Sequence, residues 1–149
     1  MNKLLTLLSI PLIISSCGHS VVYEGDTAAN KKNIIKFSKH IETYIEQHVV
    51  DHFLSHVEPT YKTDQLGIAL KNDTTQFINE FFCGKDLNAK FTCVDFDKIK
   101  SIDLIEIMPM KNDSYVLRYL IINDKDEELI SEVYLFTDQK VYQLYSAVG

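Results

Sequence analysis

The chain predicts an α+β fold: N-terminal helices packed on a curved antiparallel β-meander. Three observations lead there. Apolar residues recur at helical spacing from about residue 30 to residue 57, and again over 77–82. From residue 91 onward the pattern changes to alternation and to β-branched or aromatic runs. The polar stretches between those runs are too short to carry a crossover, so the strands must run antiparallel.

The first helix is predicted from about Asn30. Ile34, Phe37, Ile41, Tyr44 and Ile45 form one apolar stripe, with Lys36, Lys39, Glu42, Thr43 and Glu46 on the other side. Past Gln47 the stripe changes phase, and Val49, Val50, Phe53, Leu54 and Val57 become the apolar set. The helix therefore bends, breaks or is gripped differently at its two ends. It stops near Glu58, because Pro59 disfavours a helical residue before it. Leu66, Ile68 and Leu70 alternate, which predicts a short strand over 65–70. Asp73-Thr74-Thr75-Gln76 reads as a capping box for a second helix that buries Phe77, Ile78, Phe81 and Phe82, with Gly84 as its C-terminal stop. Strands are predicted over 91–96, 101–109, 115–123, 128–137 and 140–147. The turns between the last four fall at 111–114, 124–127 and 137–140, and Pro109 belongs at a strand end.

The amino terminus carries a different signal. Lys3 precedes an apolar run from Leu4 to Ile14, and Ser15 and Ser16 lead into Cys17. A positive start, a short apolar run and small residues describe a secretory signal peptide, too short for a transmembrane span. Ile14-Ser15-Ser16-Cys17 resembles the lipobox of bacterial lipoproteins. That resemblance implies removal of residues 1–16, diacylglyceryl transfer to Cys17 and acylation of the new amino terminus. Two or three acyl chains anchor stably where one binds only marginally. Gly18 after the cysteine, in place of Asp, points to the outer membrane, facing the periplasm. Residues 17–29 read as a lipidated tether that spans about 40 Å when fully extended, and 30–149 as a single α+β domain.

Length and charge set further bounds. Of 149 residues, 133 remain after the signal peptide, enough for one domain with a real core. Loss of Lys3 moves the net charge from −6 to −7. Such an acidic average argues against electrostatic binding to nucleic acid or to an anionic membrane surface. Once Cys17 is used for lipidation, Cys83 and Cys93 are left as an even pair, and outside the cytosol such a pair is expected to form a disulfide.

Local clusters were weighed for chemistry. His48, His52 and His56 repeat at i, i+4 and i+8, with Asp51 beside them, and imidazoles at that spacing can grip Zn²⁺ or Cu²⁺. No H-E-x-x-H accompanies them, so the expected reading is a solvated polar face rather than a metal site. Arg118 is the only arginine. It falls mid-strand between predicted strands carrying Glu106 and Glu132, which predicts a cross-strand pair on the solvent face. Asp124, Asp126, Glu127 and Glu128 lack the order and the glycine of a calcium loop and read as a charged hairpin turn. Tyr134, Phe136, Tyr142 and Tyr145 are expected to leave an aromatic patch outside, fit for a partner protein. No P-loop, dinucleotide-binding glycine pattern, G-x-S-x-G or triad appears, so no cofactor and no catalytic residue is assigned.

The order of elements over 30–147 is similar to the cone-shaped NTF2-like (SnoaL-like) fold, with a cystatin-like arrangement as the alternative. That resemblance implies a scaffold shared by enzymes, ligand binders and interaction domains. Three functions follow as expectations. The first is a non-catalytic, membrane-anchored envelope lipoprotein that binds another envelope protein. The second is an immunity or exclusion lipoprotein that blocks a toxin. The third is a SnoaL-like ligand binder or enzyme with a pocket around Arg118. A deep pocket with an inward arginine favours the third; a filled interior with an exposed aromatic strand face favours a binding module. Replacing Cys17 with Ala should abolish fatty-acid labelling and release the protein from the membrane fraction; unchanged labelling would refute the lipobox reading.

Overall fold

A computed structural model describes residues 22–23, 28–138 and 141–146. Cys17, the apolar run before it and most of the expected tether lie outside the described residues. After a short strand come the α-helices α1 (Ala28–Glu46), α2 (Val50–Leu54), α3 (Pro59–Lys62) and α4 (Thr74–Phe81). The strands are β1 (Val22–Tyr23), β2 (Gly84–Asp86), β3 (Phe91–Thr92), β4 (Ile99–Pro109), β5 (Tyr115–Asn123), β6 (Glu128–Asp138) and β7 (Val141–Ser146). The fold is α+β, with the helices packed on a curved antiparallel sheet that does not close into a barrel. The sheet order is β1-β4-β5-β6-β2-β3, and β7 also pairs with β6. Only β1 runs parallel to its neighbour, with Val22 opposite Glu106 and Tyr23 opposite Ile107. Two residues of the segment read as a tether are thus part of the sheet.

Curvature comes from irregular register in β4, between Ile99 and Ser101 and between Leu104 and Glu106. β6 is long enough to serve two partners. Gly84–Asp86 pairs with its first half, and Val141–Ser146 with its second. Gly84 permits the first of these pairings. A Cβ there would fall 2.0 Å from the carbonyl oxygen of Ile130. Gly84 is therefore not the stop of α4, which ends at Phe81 with Phe82 as its cap; it is the close-approach residue of β2. Cys83 and Cys93 join as a disulfide that clasps the β2–β3 hairpin.

Alternation along the strands sorts the sheet into two faces. Ile102, Leu104, Ile107, Leu117, Tyr119, Ile121, Val133, Leu135 and Leu144 point inward and are buried. Ile34, Phe37, Ile41 and Ile45 of α1 cover them, together with Phe53, Phe77, Ile78, Phe81 and Phe82. Phe81 packs edge-on against both Phe53 and Phe82, with ring centroids at 5.1 and 5.2 Å.

Three local expectations are corrected. The segment 65–70 is not a strand. Thr63–Ala69 is a π-helical turn continuing from α3, which buries Leu66 and leaves Ile68 71% exposed. Of 91–96 only Phe91–Thr92 is strand, because Phe96–Lys98 turns into a short 3₁₀ helix that buries Phe96. Glu42 does not lie on a solvated helix face; it is 4% exposed. Its Oε1 accepts from the Leu104 backbone N–H at 3.0 Å and from Ser38 Oγ at 3.1 Å, and Lys39 Nζ holds Oε2 at 2.5 Å. Ser38 in turn meets the buried Tyr119 hydroxyl at 2.8 Å. Burial pushes the Tyr119 hydroxyl well above the ordinary phenol range, so it stays a neutral partner. One turn on, Glu46 Oε1 accepts from the Ile102 N–H at 3.2 Å.

Removing the Glu42 carboxylate strands a backbone donor and a hydroxyl in the interior. Glu42→Leu should destabilise the fold by about 2–4 kcal/mol, and Glu42→Gln, which still accepts from Leu104, by about 1 kcal/mol. Urea unfolding with an unchanged m-value is the measurement; equal losses for the two variants would show that the Leu104–Glu42 bond contributes nothing.

Candidate functional site

The outer face of the sheet, turned away from the helices, gathers the polar and aromatic candidates. It follows from the register that Glu106, Arg118 and Glu132 stand side by side on β4, β5 and β6. Arg118 Nε and Nη2 both donate to Glu132 Oε1, at 3.0 and 2.7 Å, and Nη1 donates to Glu106 Oε2. The expected cross-strand pair is thus a three-residue ladder. The arginine side chain is 33% exposed, so the ladder sits at the boundary of solvent. One guanidinium between two carboxylates leaves the row with one net negative charge.

A cleft of about 620 Å³ opens beside this ladder, where the β2–β3 hairpin overhangs the outer face. Lys85, Leu87, Phe91, Ile105, Ile130 and Arg118 are among its lining residues. Ile105 is the bulge residue of β4, and the extra residue fits it to the cleft wall. The disulfide holds the hairpin in place over the cleft. Leu87 and Phe91 remain 75% and 59% exposed. The hairpin's contribution was not legible in the sequence, because a three-residue and a two-residue strand carry too little periodicity to register.

Three of the four expected aromatic residues share this face. Tyr134 pairs directly with Tyr145, and Phe136 packs 4.8 Å from Tyr145 and 6.3 Å from Tyr134. Tyr142 does not join them; it turns to the helix side and packs 5.0 Å from Phe37. The turn 124–127 is a charged hairpin turn. Asn123 Oδ1 accepts from the Lys125 and Glu127 backbone, both at 2.9 Å, and Lys100 pairs with Asp126 at 2.6 Å.

The three histidines do not share one helical face. The helix breaks at Gln47–Val49, with His48 in the left-handed region at φ 57°. His48 stacks on Phe96 at 4.6 Å, whereas His52 and His56 pack on Tyr44 at 5.2 and 6.0 Å. The i, i+4, i+8 spacing therefore loses its meaning at its first member. Burial, with His40 and His52 nearby, holds His56 below the ordinary imidazole range. Among the described residues no three His, Cys, Asp or Glu side chains converge in a way that could hold a metal ion, and no helix is long and apolar enough to cross a membrane. The chain matches no family model, no curated protein and no solved structure.

The ladder makes a stability prediction. Arg118→Leu leaves two carboxylates facing each other across β5 and should cost about 1–2 kcal/mol. Adding Glu106→Gln and Glu132→Gln should restore most of the loss. Urea midpoints of the parent, the single and the triple variant test this; a single Arg118→Leu variant as stable as the parent would show the ladder to be idle.

Proposed function

We propose that the chain is a non-catalytic envelope lipoprotein, anchored through Cys17 and facing the periplasm from the outer membrane. Its domain serves as an interaction module for another envelope protein. The observation that carries this reading is the division of labour between the two sheet faces. The inner face is packed: Leu117 and Tyr119 are fully buried and Ile121 is 1% exposed. Arg118 lies on the opposite face, so the pocket that a SnoaL-like enzyme would use around it is not beneath the helices. The outer face instead offers an arginine ladder, a tyrosine pair and the apolar side chains Leu87, Phe91 and Phe136, a mixture typical of protein-binding patches. The chemistry suits a partner with an apolar centre and a cationic rim, since both the ladder and the domain carry net negative charge.

A photoreactive amino acid placed at Phe136 in the full chain, in cells, should yield a covalent adduct of one defined mass. The same probe at His52, on the helix side, should not. Glu106→Gln with Glu132→Gln, which turns the row from net negative to net positive, should sharply reduce the adduct at 136 while the protein remains folded and membrane-bound. Equal adducts from both positions, or none from 136, would refute the outer face as the interaction surface.

A further inference from the structure

The negative charge of the chain is an average, and the first half of α1 departs from it. Between residues 27 and 41 the sequence holds Lys31, Lys32, Lys36 and Lys39 and no acid. Lys39 is engaged with Glu42 and Asp103. Lys32 and Lys36 are exposed. Asn30, Asn33, Lys36 and His40 form one stripe of α1. With Thr137 and Tyr142 they line an open depression of about 500 Å³ between α1 and the β6–β7 end of the sheet. Its polar lining consists of two amides, two hydroxyls, an imidazole and the Lys36 ammonium, whose formal charge makes the set receive an anion rather than a cation. Asn30 Nδ2 reaches the Tyr115 hydroxyl at 3.4 Å, which places the start of α1 at the β4–β5 turn. That turn presents Met110, 48% exposed, and the exposed Lys111. The acids carried by these same elements at this end are Asp113 and Asp138, against the exposed Lys32, Lys36 and Lys111.

Position relative to the anchor selects the anion. β1 fixes Val22 on the edge of β4. Cys17 lies five residues before it, a reach of at most about 18 Å rather than the 40 Å of a free tether. We infer that the Lys32–Lys36 face of α1, with the depression beside it, seats on the headgroups of anionic phospholipids and sets the orientation of the domain on the membrane. Basic side chains held within a Debye length of an anionic surface gain affinity, and an exposed methionine beside them enters the interfacial layer. The acidic average, which argues against such binding by the domain as a whole, is outweighed at this face because screening limits each charge to its own neighbourhood. The inference rests on the anchored reading above, and its test separates the two.

The lipidated full chain, carrying a fluorophore on Met110→Cys, is reconstituted into phosphatidylcholine vesicles and into vesicles with roughly one-third phosphatidylglycerol. A headgroup-linked quencher reports proximity. Quenching should be several-fold stronger with phosphatidylglycerol and should fall to the neutral level in Lys32→Gln/Lys36→Gln. Both positions are exposed, so the variant keeps its fold. Equal quenching in the two compositions, or quenching unchanged in the double variant, would overturn the site while leaving the anchor intact. A chain that fails to enter neutral vesicles would refute the anchor. The same labelled chain titrated with phosphatidylglycerol vesicles then decides the site: lysine-dependent affinity, worth roughly fivefold per residue, supports it, and no binding overturns it.

Discussion

The stretch of β4's outer edge that β1 leaves uncovered, around Ile102 and Leu104, is the constraint on which the rest of the structure depends. A sheet edge presents unpaired backbone donors, and a buried edge must have them satisfied. Here a helix does it. Glu42 and Glu46 are one turn apart on α1, a rise of about 6 Å. The Leu104 and Ile102 N–H groups they accept are two residues apart on β4, about 6.8 Å. The two repeats match closely enough for adjacent carboxylates to reach alternate amides, with α1 running antiparallel to the strand. Glu42 stays tolerable inside because every interaction it needs is local: an amide, a serine hydroxyl and the Lys39 ammonium. Lys39 is held as the cation by that same carboxylate, which raises its pKa.

With α1 fixed along that edge, the fate of each strand residue follows from parity. Odd-numbered positions of β5 and β6 meet the helices, and even-numbered positions form the outer face. Arg118 is even, so it cannot be an interior arginine without a register slip that would turn Leu117, Tyr119 and Ile121 out to solvent. Parity in β6 brings Glu132 to one side of it, and the bulge at Ile105, which reverses the parity of β4 after Leu104, brings Glu106 to the other. The ladder on the outer face and the packed core on the inner one are therefore two readings of a single register.

Much of this was legible in the sequence. Strands 115–123 and 128–137 were visible because each is long, alternates cleanly and is bounded by polar turns. The break after Gln47 was visible as a change of apolar phase, although no glycine or asparagine marks the left-handed residue, His48. What was not legible has physical causes. Glu42 reads as polar, and nothing local says that a strand edge waits for its carboxylate. Leu66, Ile68 and Leu70 alternate like a strand, yet the i→i+5 bond from the Leu70 N–H to the Gln65 carbonyl holds them in a π-helical turn. Gly84 sits where a helix stop belongs, but its missing side chain serves a contact with Ile130 that is 46 residues away in sequence. Glu42 and Gly84 are cases of a tertiary contact overriding a local pattern, and the π-helical turn is one local bonding pattern displacing another. The outer-face cleft depends on such contacts altogether, since its walls come from β2, β3, β4, β5 and β6.

The two proposed surfaces have opposite electrostatic character, and that bears on how they act together. A domain on a free tether samples all orientations, so an outer face meets its partner only in a fraction of encounters. On the proposed anchoring, a tether shortened by β1 and a basic helix seated on headgroups would remove most of that freedom before any partner arrives. The orientational entropy is then lost at anchoring rather than at binding, and the effective concentration of the outer face toward a membrane-bound partner rises without any new contact. The acidic remainder of the surface works in the same direction. Anionic headgroups that attract α1 as proposed would repel it, and so would keep the Glu106–Arg118–Glu132 row clear of the bilayer, facing solvent where a cationic partner would approach.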